Sequence, residues 1–436
     1  MPEDSVEWYH DFVRLGYKPG DDELVALFYV EPEEGFTMED AAGRVASESS
    51  VGTWSTLTTL TPLVKRLMAA AYEIDGNFVK VSYPSELFEL GNMPQILSSI
   101  AGNVFGMKAV KNLRLIDVSW PRSIVRSFSG PLFGKEGIRS FMKVKARPLT
   151  ASVPKPKVGL TYEEHAQNGY QAWIGGLDLL KDDENLSSQS FNTFQKRVDT
   201  TFKLRDKAEK ETGEKKSYLI NITAETDEMK KRARLVKDAG GEYVMVDILT
   251  TGWAALQTIK RTCEELGLAI HAHRAFHAAF TRNPKHGMSM LVVAETARLI
   301  GVDQLHIGTV IGKLESSREE VLTLKEKLTS NLSRENRSPT LPAFRQDWHG
   351  LKDVFPVSSG GLHVGILYPL LDMLGTDIIV QMGGGIWGHP DGGRAGAKAL
   401  RDAIDAYMNG IDIQDYADKS KELKTALQKR GTKSYR

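Results

Sequence analysis

One lysine and three acids, Lys181-Asp182-Asp183-Glu184, close an apolar run, Gly175-Gly-Leu-Asp-Leu-Leu, that reads as a buried strand. Side chains alternate along a strand, so Lys181 and Asp183 share a face, and Glu184 follows where strand gives way to loop. Two carboxylates and an amine at a strand end can hold a hard cation through oxygen, provided the amine becomes an anion. Reaction with CO2 does this by converting lysine to a carbamate. Taken alone, such a charged run is usually a solvated turn, so the rest of the chain must decide.

Other strings carry chemistry of the same kind. Lys155 and Lys157, in Pro154-Lys-Pro-Lys-Val-Gly-Leu, are two apart and would face the same way on a strand. In a barrel mouth, burial or a neighbouring cation would lower their pKa and suit them to proton transfer; on an open edge they would merely be solvated. His271, His273, Arg274 and His277 lie in His-Ala-His-Arg-Ala-Phe-His. A zinc or manganese pair at His271 and His273 is conceivable, but a guanidinium beside it would repel a second metal and suits phosphate better. One of the two histidines is expected to be a buried, hydrogen-bonded core residue. His306 precedes Gly308-Thr-Val-Ile-Gly-Lys313, whose paired glycines and terminal lysine read as a lid delivering one cation. Glycine-rich backbone follows at Ser358-Ser359-Gly-Gly361 and from Gly383-Gly384-Gly385 to Gly393, as expected where N–H groups hold a phosphate. Gly383, Gly385 and Gly388 also satisfy G-x-G-x-x-G, with Asp402 further on. Asp402 falls in a helical pattern and no second nucleotide-binding half follows, so the dinucleotide reading fails.

These residues need a scaffold that brings strand ends together. From about residue 153, short apolar runs alternate with amphipathic stretches. The strands are expected at Val153–Gly159, Leu177–Lys181, Tyr218–Thr223, Tyr243–Ile248, Leu268–His273, Gln304–Gly308, Val354–Ser358 and Ile378–Met382. Helices are expected between them, at Tyr162–Ile174, Asp227–Ala239 and Ala395–Met408 among others. Eight such units make an α/β (β/α)8 barrel over 146–436, and chemically loaded residues after nearly every strand favour a closed mouth over an open sheet. Residues 1–145 lack this rhythm and read as a smaller α+β, ferredoxin-like domain, with strands at Glu23–Val30 and Phe78–Ser82 and helices at Met38–Ser47 and Leu87–Val104. Arg147–Ser152 reads as the link. The tail after Ile413 reads as a surface helix, and the polar stretch Arg318–Gly350 as a tolerated surface insertion. Glu48 and Thr53-Trp54, with Gly102-Asn103, look only like caps and turns.

The bulk numbers set limits. The chain has 436 residues, with 56 Lys plus Arg against 56 Asp plus Glu. This balance argues against a nucleic-acid or anionic-membrane surface. No apolar run reaches a membrane span, the N-terminus lacks a signal-peptide core, and the lone Cys263 excludes a disulfide framework. A cytoplasmic protein is the expectation.

Together the strings resemble the large subunit of ribulose-1,5-bisphosphate carboxylase/oxygenase, in the archaeal, form III branch, from about Val30 to Asp412. About ten motifs occur in the family's order, among them Pro-Lys-Pro-Lys-Val-Gly-Leu, the Lys181 segment, His-Ala-His-Arg-Ala-Phe-His, Gly-Thr-Val-Ile-Gly-Lys-Leu-Glu, Ser-Ser-Gly-Gly-Leu-His and Gly-Gly-Gly-Ile-Trp-Gly-His-Pro. The resemblance implies Mg2+ and activator CO2, held as a carbamate on Lys181 with Asp183 and Glu184. A carbamate oxygen would remove the C3 proton of ribulose 1,5-bisphosphate, and CO2 (or O2) would add to the enediol. It implies proton handling at C2 by Lys155 with Lys157 beside it, and assistance at C3 by His273. It further implies carboxylate stabilisation by Lys313, one phosphate at Arg274 and His306, the other at Gly361, Gly383 and Gly384, and sugar contact by Ser359. Glu48, Thr53, Trp54 and Asn103 would come from a neighbouring subunit, implying a homodimer or an assembly of dimers without a small subunit. Ile307 departs from the family's small hydroxyl residue. Relatives running an enolase or isomerase reaction on another sugar phosphate are the alternative; they typically lose several of these residues, which are all present here.

Overall fold

In a computed structural model of the chain, residues 8–52, 58–311 and 317–432 are described, and they fall into two compact units. The first comprises Met1–Gly130 with Phe276–Ile300 and Ser330–Leu351. Its strands Glu23–Pro32, Ala70–Asp75, Phe78–Pro84 and Val110–Ser119 pair antiparallel with one another, and the short strand Gly287–Met288 adds in parallel to Val110–Ser119. In space the third strand lies between the first and second, and the fourth flanks the first. With helices Met38–Glu48 and Met93–Ile100 between strands, this is the split β-α-β order of a ferredoxin-like sheet. Thr37 and Asp40 form a reciprocal capping box at the start of the first helix. The expected helix over Leu87–Val104 resolves into Met93–Ile100 and a short 3-10 turn at Asn103–Gly106, because Asn92 caps at the point where Pro94 sets the first turn.

The stretch Arg318–Gly350 is not a surface insertion. Arg318–Thr329 is a helix of the second unit that buries Val321, Leu324 and Leu328. The following segment is knitted into the first unit. Gln346 accepts from Trp120 N at 2.8 Å and donates to Trp120 O at 3.1 Å, Phe344 N donates to Asp117 at 2.6 Å, and Trp348 is fully buried beneath Arg298. The segment's buried polar side chains, Ser333 and Gln346, are bonded to backbone and not to water.

The second unit, Pro131–Ala275 with Gly301–Thr329 and Lys352–Arg436, is a closed eight-stranded parallel barrel. Its strands are Leu149–Ser152, Leu179–Lys181, Ser217–Asn221, Tyr243–Asp247, Ala269–His273, Gln304–His306, Phe355–Ser359 and Ile379–Gln381. Seven coincide with the expected strands to within a few residues; the first does not. Arg147–Ser152, expected to be a linker, supplies it, and Lys155 and Lys157 lie in the loop beyond. Pro154 and Pro156 cannot donate to a ladder, so the pairing ends before them. Leu149, Ala151, Leu179, Leu219, Tyr243, Ala269, Phe355, Val357 and Ile379 fill the barrel, and Ile138 and Met142 of helix Gly134–Met142 join this core. No helix among the described residues is long and apolar enough to cross a membrane.

Candidate active site

The second barrel strand shows how sequence alternation becomes chemistry. Leu179 points into the barrel core; Leu180 points out, against the bare backbone of Gly169 in helix Tyr162–Ile174. Lys181 therefore points in and Asp182 out, and the alternation carries into the loop so that Asp183 points in again. Lys181 is completely buried, its Nζ 2.8 Å from Asp182 O and 3.8 Å from Glu184 Oε2. Burial pulls the amine below its ordinary pKa, against the opposing pull of Glu184, Asp247, Asp183 and Asp182. Asp183, also buried, takes Lys155 Nζ at 3.0 Å and the Asn185 backbone and side-chain N–H groups at 3.2 Å. Burial raises the Glu184 carboxyl, but His273, Lys181 and Lys155 outweigh it and hold it below the usual range.

The outward Asp182 is not a ligand candidate but an anchor. Its Oδ2 accepts from Arg197 Nε at 3.1 Å and from Asn221 N at 3.0 Å; its Oδ1 meets Tyr218 Oη and, at 3.1 Å, His165 Nε2. Burial alone would raise this carboxyl; Arg197 and the His165 and Tyr218 hydrogen bonds outweigh it and bring the pKa to about 2.

Opposite lie the histidines. His271 and His273 share the inward face of the fifth strand. His271, expected as one possibility to be a core histidine, is one: Nδ1 meets Gln304 Oε1 at 2.8 Å and Nε2 meets His306 Nε2 at 2.9 Å. His306 Nδ1 in turn meets Ser359 Oγ at 2.7 Å. Burial pushes both rings well below the ordinary histidine pKa, so both are neutral. His273 sits at the rim, 3.6 Å from Glu184 and 3.2 Å from Asp247. Arg274 is 6 % exposed, and burial brings its guanidinium down to about 10, relieved only by the charge of Glu320. No carboxylate pairs with it among the described residues, which leaves its fork open to an anion.

The glycine loops complete this face. Gly360 and Gly361 both adopt positive φ, at 120° and 72°, as glycine permits. A Cβ on Gly383 would come 3.3 Å from Lys155 Cε, so that loop lies beside the lysine. Ser152 Oγ ties the loop to the first strand by donating to Met382 O at 2.6 Å and accepting from Trp387 Nε1 at 2.8 Å. Asp402 lies in helix Gly392–Met408 bonded to Lys398 and Ser420, as the rejection of the dinucleotide reading requires.

The structure thus brings together Lys155, Lys181, Asp183, Glu184 and His273 through direct contacts, and His306 with Ser359. Lys157 is exposed and makes no such contact. Glu48 ends helix Met38–Glu48 and Asn103 opens a 3-10 turn, both exposed in the first unit. Thr53, Trp54 and Lys313 lie outside the described residues. Ile307 is fully buried and donates to Val357 O at 3.0 Å. Sequence reasoning missed Asp182, Asp247, Gln304 and Tyr243. Strand alternation could have marked Asp182 as outward and Gln304 as inward.

Among the described residues no three His, Cys, Asp or Glu side chains are placed together to hold a metal ion. Asp183 and Glu184 supply two anionic donors on either side of a buried amine, so a third would have to be made on Lys181. The residues fit Mg2+ on that condition.

Two family descriptions match the chain: "Ribulose bisphosphate carboxylase large chain, N-terminal domain" over residues 11–124 and "Ribulose bisphosphate carboxylase large chain, catalytic domain" over 135–429. The ribulose bisphosphate carboxylase of Pyrococcus furiosus is 53% identical over 98% of this chain and 99% of its own length. That of Methanosarcina mazei is 50% identical over 96% and 98%. Among solved structures, the octameric enzyme of Pyrococcus horikoshii superposes with a TM-score of 0.91 at 52% identity, covering 98% of this chain and 97% of that one. The dimeric archaeal enzyme of Hyperthermus butylicus gives 0.92 at 48%, covering 97% and 99%.

The Asp182 anchor generates a prediction. Arg197→Met takes the guanidinium from a buried carboxylate and should lower stability in urea by about 3–5 kcal/mol at neutral pH. A carboxyl with lowered pKa contributes stability above its unfolded value and loses it as pH falls through the folded one. The gap to wild type should therefore shrink as pH descends through the carboxylate range; a pH-independent gap would contradict the charge pairing.

Proposed function

The chain belongs to the ribulose bisphosphate carboxylase large-chain family, and from that premise we propose that it adds CO2 to ribulose 1,5-bisphosphate, yielding two molecules of 3-phosphoglycerate. The observation that carries this is the buried Lys181 amine beside Asp183 and Glu184, with His273 against Glu184 and with Arg274, which no carboxylate among the described residues pairs, after the fifth strand of the same barrel.

Lys181 Nζ, kept neutral for part of the time by its burial, attacks CO2 and loses a proton, becoming an anionic carbamate. That anion, with Asp183 and Glu184, would hold Mg2+, which would supply Lewis-acid polarisation of the substrate. Lys155, ion-paired with Asp183, is placed to hold and return the proton at C2. His273, between Glu184 and Asp247, serves C3 and its hydration. Arg274, beside the His306 ring, takes one phosphate, and the N–H groups of Gly361, Gly383 and Gly384 take the other. Ser359 meets a sugar hydroxyl, and Lys157 lies near the entrance. Lys313 is assigned the carboxylate formed on CO2 addition. Glu48, Thr53, Trp54 and Asn103 are assigned to the neighbouring subunit's site, which makes a dimer the smallest working form. Oxygen competes for the same enediol, giving oxygenase activity. The enolase or isomerase reading is disfavoured because relatives of that kind typically lose several of these residues, the lid lysine above all, whereas Lys155, Lys181, Asp183, Glu184, His273, Lys313 and Ser359 are all in this sequence.

Three outcomes test this. Purified protein given Mg2+, ribulose 1,5-bisphosphate and labelled CO2 should form labelled 3-phosphoglycerate; absence of label after CO2 and Mg2+ activation would remove the carboxylase reading. Lys181→Ala should lower turnover by more than about a thousandfold, since it removes the anion on which metal binding depends; near-normal turnover would refute the carbamate role. Mixing inactive Lys181→Ala and Glu48→Gln subunits, after dissociation and reassociation, should regain activity through hybrid dimers with one intact site. No recovery from demonstrably mixed dimers would refute the shared site.

A further inference from the structure

Five buried or half-buried side chains cross the barrel interior in one hydrogen-bonded line. Tyr243 of the fourth strand meets Gln304 Nε2 at 2.6 Å, and Gln304 Oε1 meets His271 Nδ1 at 2.8 Å. His271 Nε2 meets His306 Nε2 at 2.9 Å, and His306 Nδ1 meets Ser359 Oγ at 2.7 Å. Tyr243, Gln304 and His271 are wholly buried and His306 is 2 % exposed; only Ser359 reaches the mouth. The line therefore ends at Ser359, the member assigned to the sugar hydroxyls.

We propose that Gln304 is a positioning residue that fixes the sense of this line and so makes Ser359 a hydrogen-bond acceptor toward a substrate hydroxyl. The inference rests on reading the mouth as a sugar-bisphosphate site. Its logic is a count of protons. A single proton lies between the two Nε2 atoms of neutral imidazoles, so His271 and His306 must carry opposite tautomers. The Gln304 carbonyl facing His271 Nδ1 can only accept, so His271 bears its proton on Nδ1 and takes a bond at Nε2. His306 then bears its proton on Nε2 and leaves Nδ1 bare. Ser359 must donate to that bare nitrogen, and both its lone pairs are left facing the mouth. A polyol donates into such a site, whereas a carbonyl or phosphate oxygen would not.

The relay can be tested independently of turnover. In protein labelled with 15N-histidine, His271 should appear as the Nδ1–H tautomer and His306 as the Nε2–H tautomer, each assigned by its loss in a single-histidine variant. The reverse pattern, equal tautomers or averaged signals would overturn the assignment. Kinetics test the consequence. Gln304→Met, matched in size but unable to bond, should raise KM for ribulose 1,5-bisphosphate about tenfold, as should Ser359→Ala, each a loss of about 1.4 kcal/mol. Because Gln304 acts through Ser359, the double variant should be no worse than Ser359→Ala alone. Effects that multiply to about a hundredfold would show two independent roles and overturn the proposal. Gln304→Glu keeps an acceptor toward His271 and should retain the tautomers and most of the affinity; loss equal to Gln304→Met would count against it. Should Gln304→Met fail to fold, the wild-type tautomers and Gln304→Glu still decide. If wild type makes no 3-phosphoglycerate, the carboxylase reading falls, while the tautomer measurement stands or fails separately.

Discussion

A lysine amine held entirely out of water is the constraint around which the second unit is arranged. Lys181 points inward because the strand alternates, and it is dry because the barrel closes on all sides below it. An ammonium in that place is costly unless paired, yet its nearest carboxylate oxygen stands 3.8 Å away. The site holds a cationic amine poorly and a metal poorly, since two carboxylates are too few. Adding CO2, as proposed, would answer both at once: it would replace the cation with an anion and complete a three-donor set for a divalent cation. In this account the metal centre is assembled on demand and not preformed.

Assembly demands that the donors be rigid before the third one exists. The two faces of one short strand divide that labour. Inward, Lys181 and Asp183 face the mouth; outward, Asp182 is clamped by Arg197, His165, Tyr218 and the Asn221 backbone. A displacement at Asp182 would pass directly to both its neighbours, because the three are consecutive. Lys155, beyond the first strand, adds a second tether through Asp183. The same division of labour recurs across the barrel, where buried Tyr243, Gln304 and His271 support His306 and Ser359 nearer the mouth.

What could be read from sequence follows from what periodicity reports. Buried parallel strands are continuous apolar runs, so Tyr243–Asp247 and Ala269–His273 were legible almost to the residue, and alternation placed Lys181 with Asp183 and His271 with His273. The first strand was misplaced because Leu-Thr-Ala-Ser lacks the apolar signature, while Val-Pro-Lys-Pro-Lys has chemistry that draws the eye but prolines that forbid pairing. The segment 330–351 misled because polar side chains look alike whether they bind water or, as Gln346 does, a buried backbone. Ala70–Asp75 and Val110–Ser119 were not anticipated: the second pairs with Glu23–Pro32, far away in the chain, whereas the first pairs with its sequence neighbour Phe78–Pro84 across a two-residue turn. Motif resemblance proposed roles for Glu48 and Asn103 that no local pattern could, because the proposed roles would depend on a second subunit.

The central claim, that Lys181 becomes an anion by taking up CO2 and so creates the metal site, is open to direct observation. Protein equilibrated with 13C-labelled CO2 and Mg2+ should show one carbamate carbon resonance per chain, absent in Lys181→Arg and weakened when Mg2+ is removed. Wild-type protein that binds Mg2+ tightly with no such resonance, or an undiminished resonance in Lys181→Arg, would contradict the account.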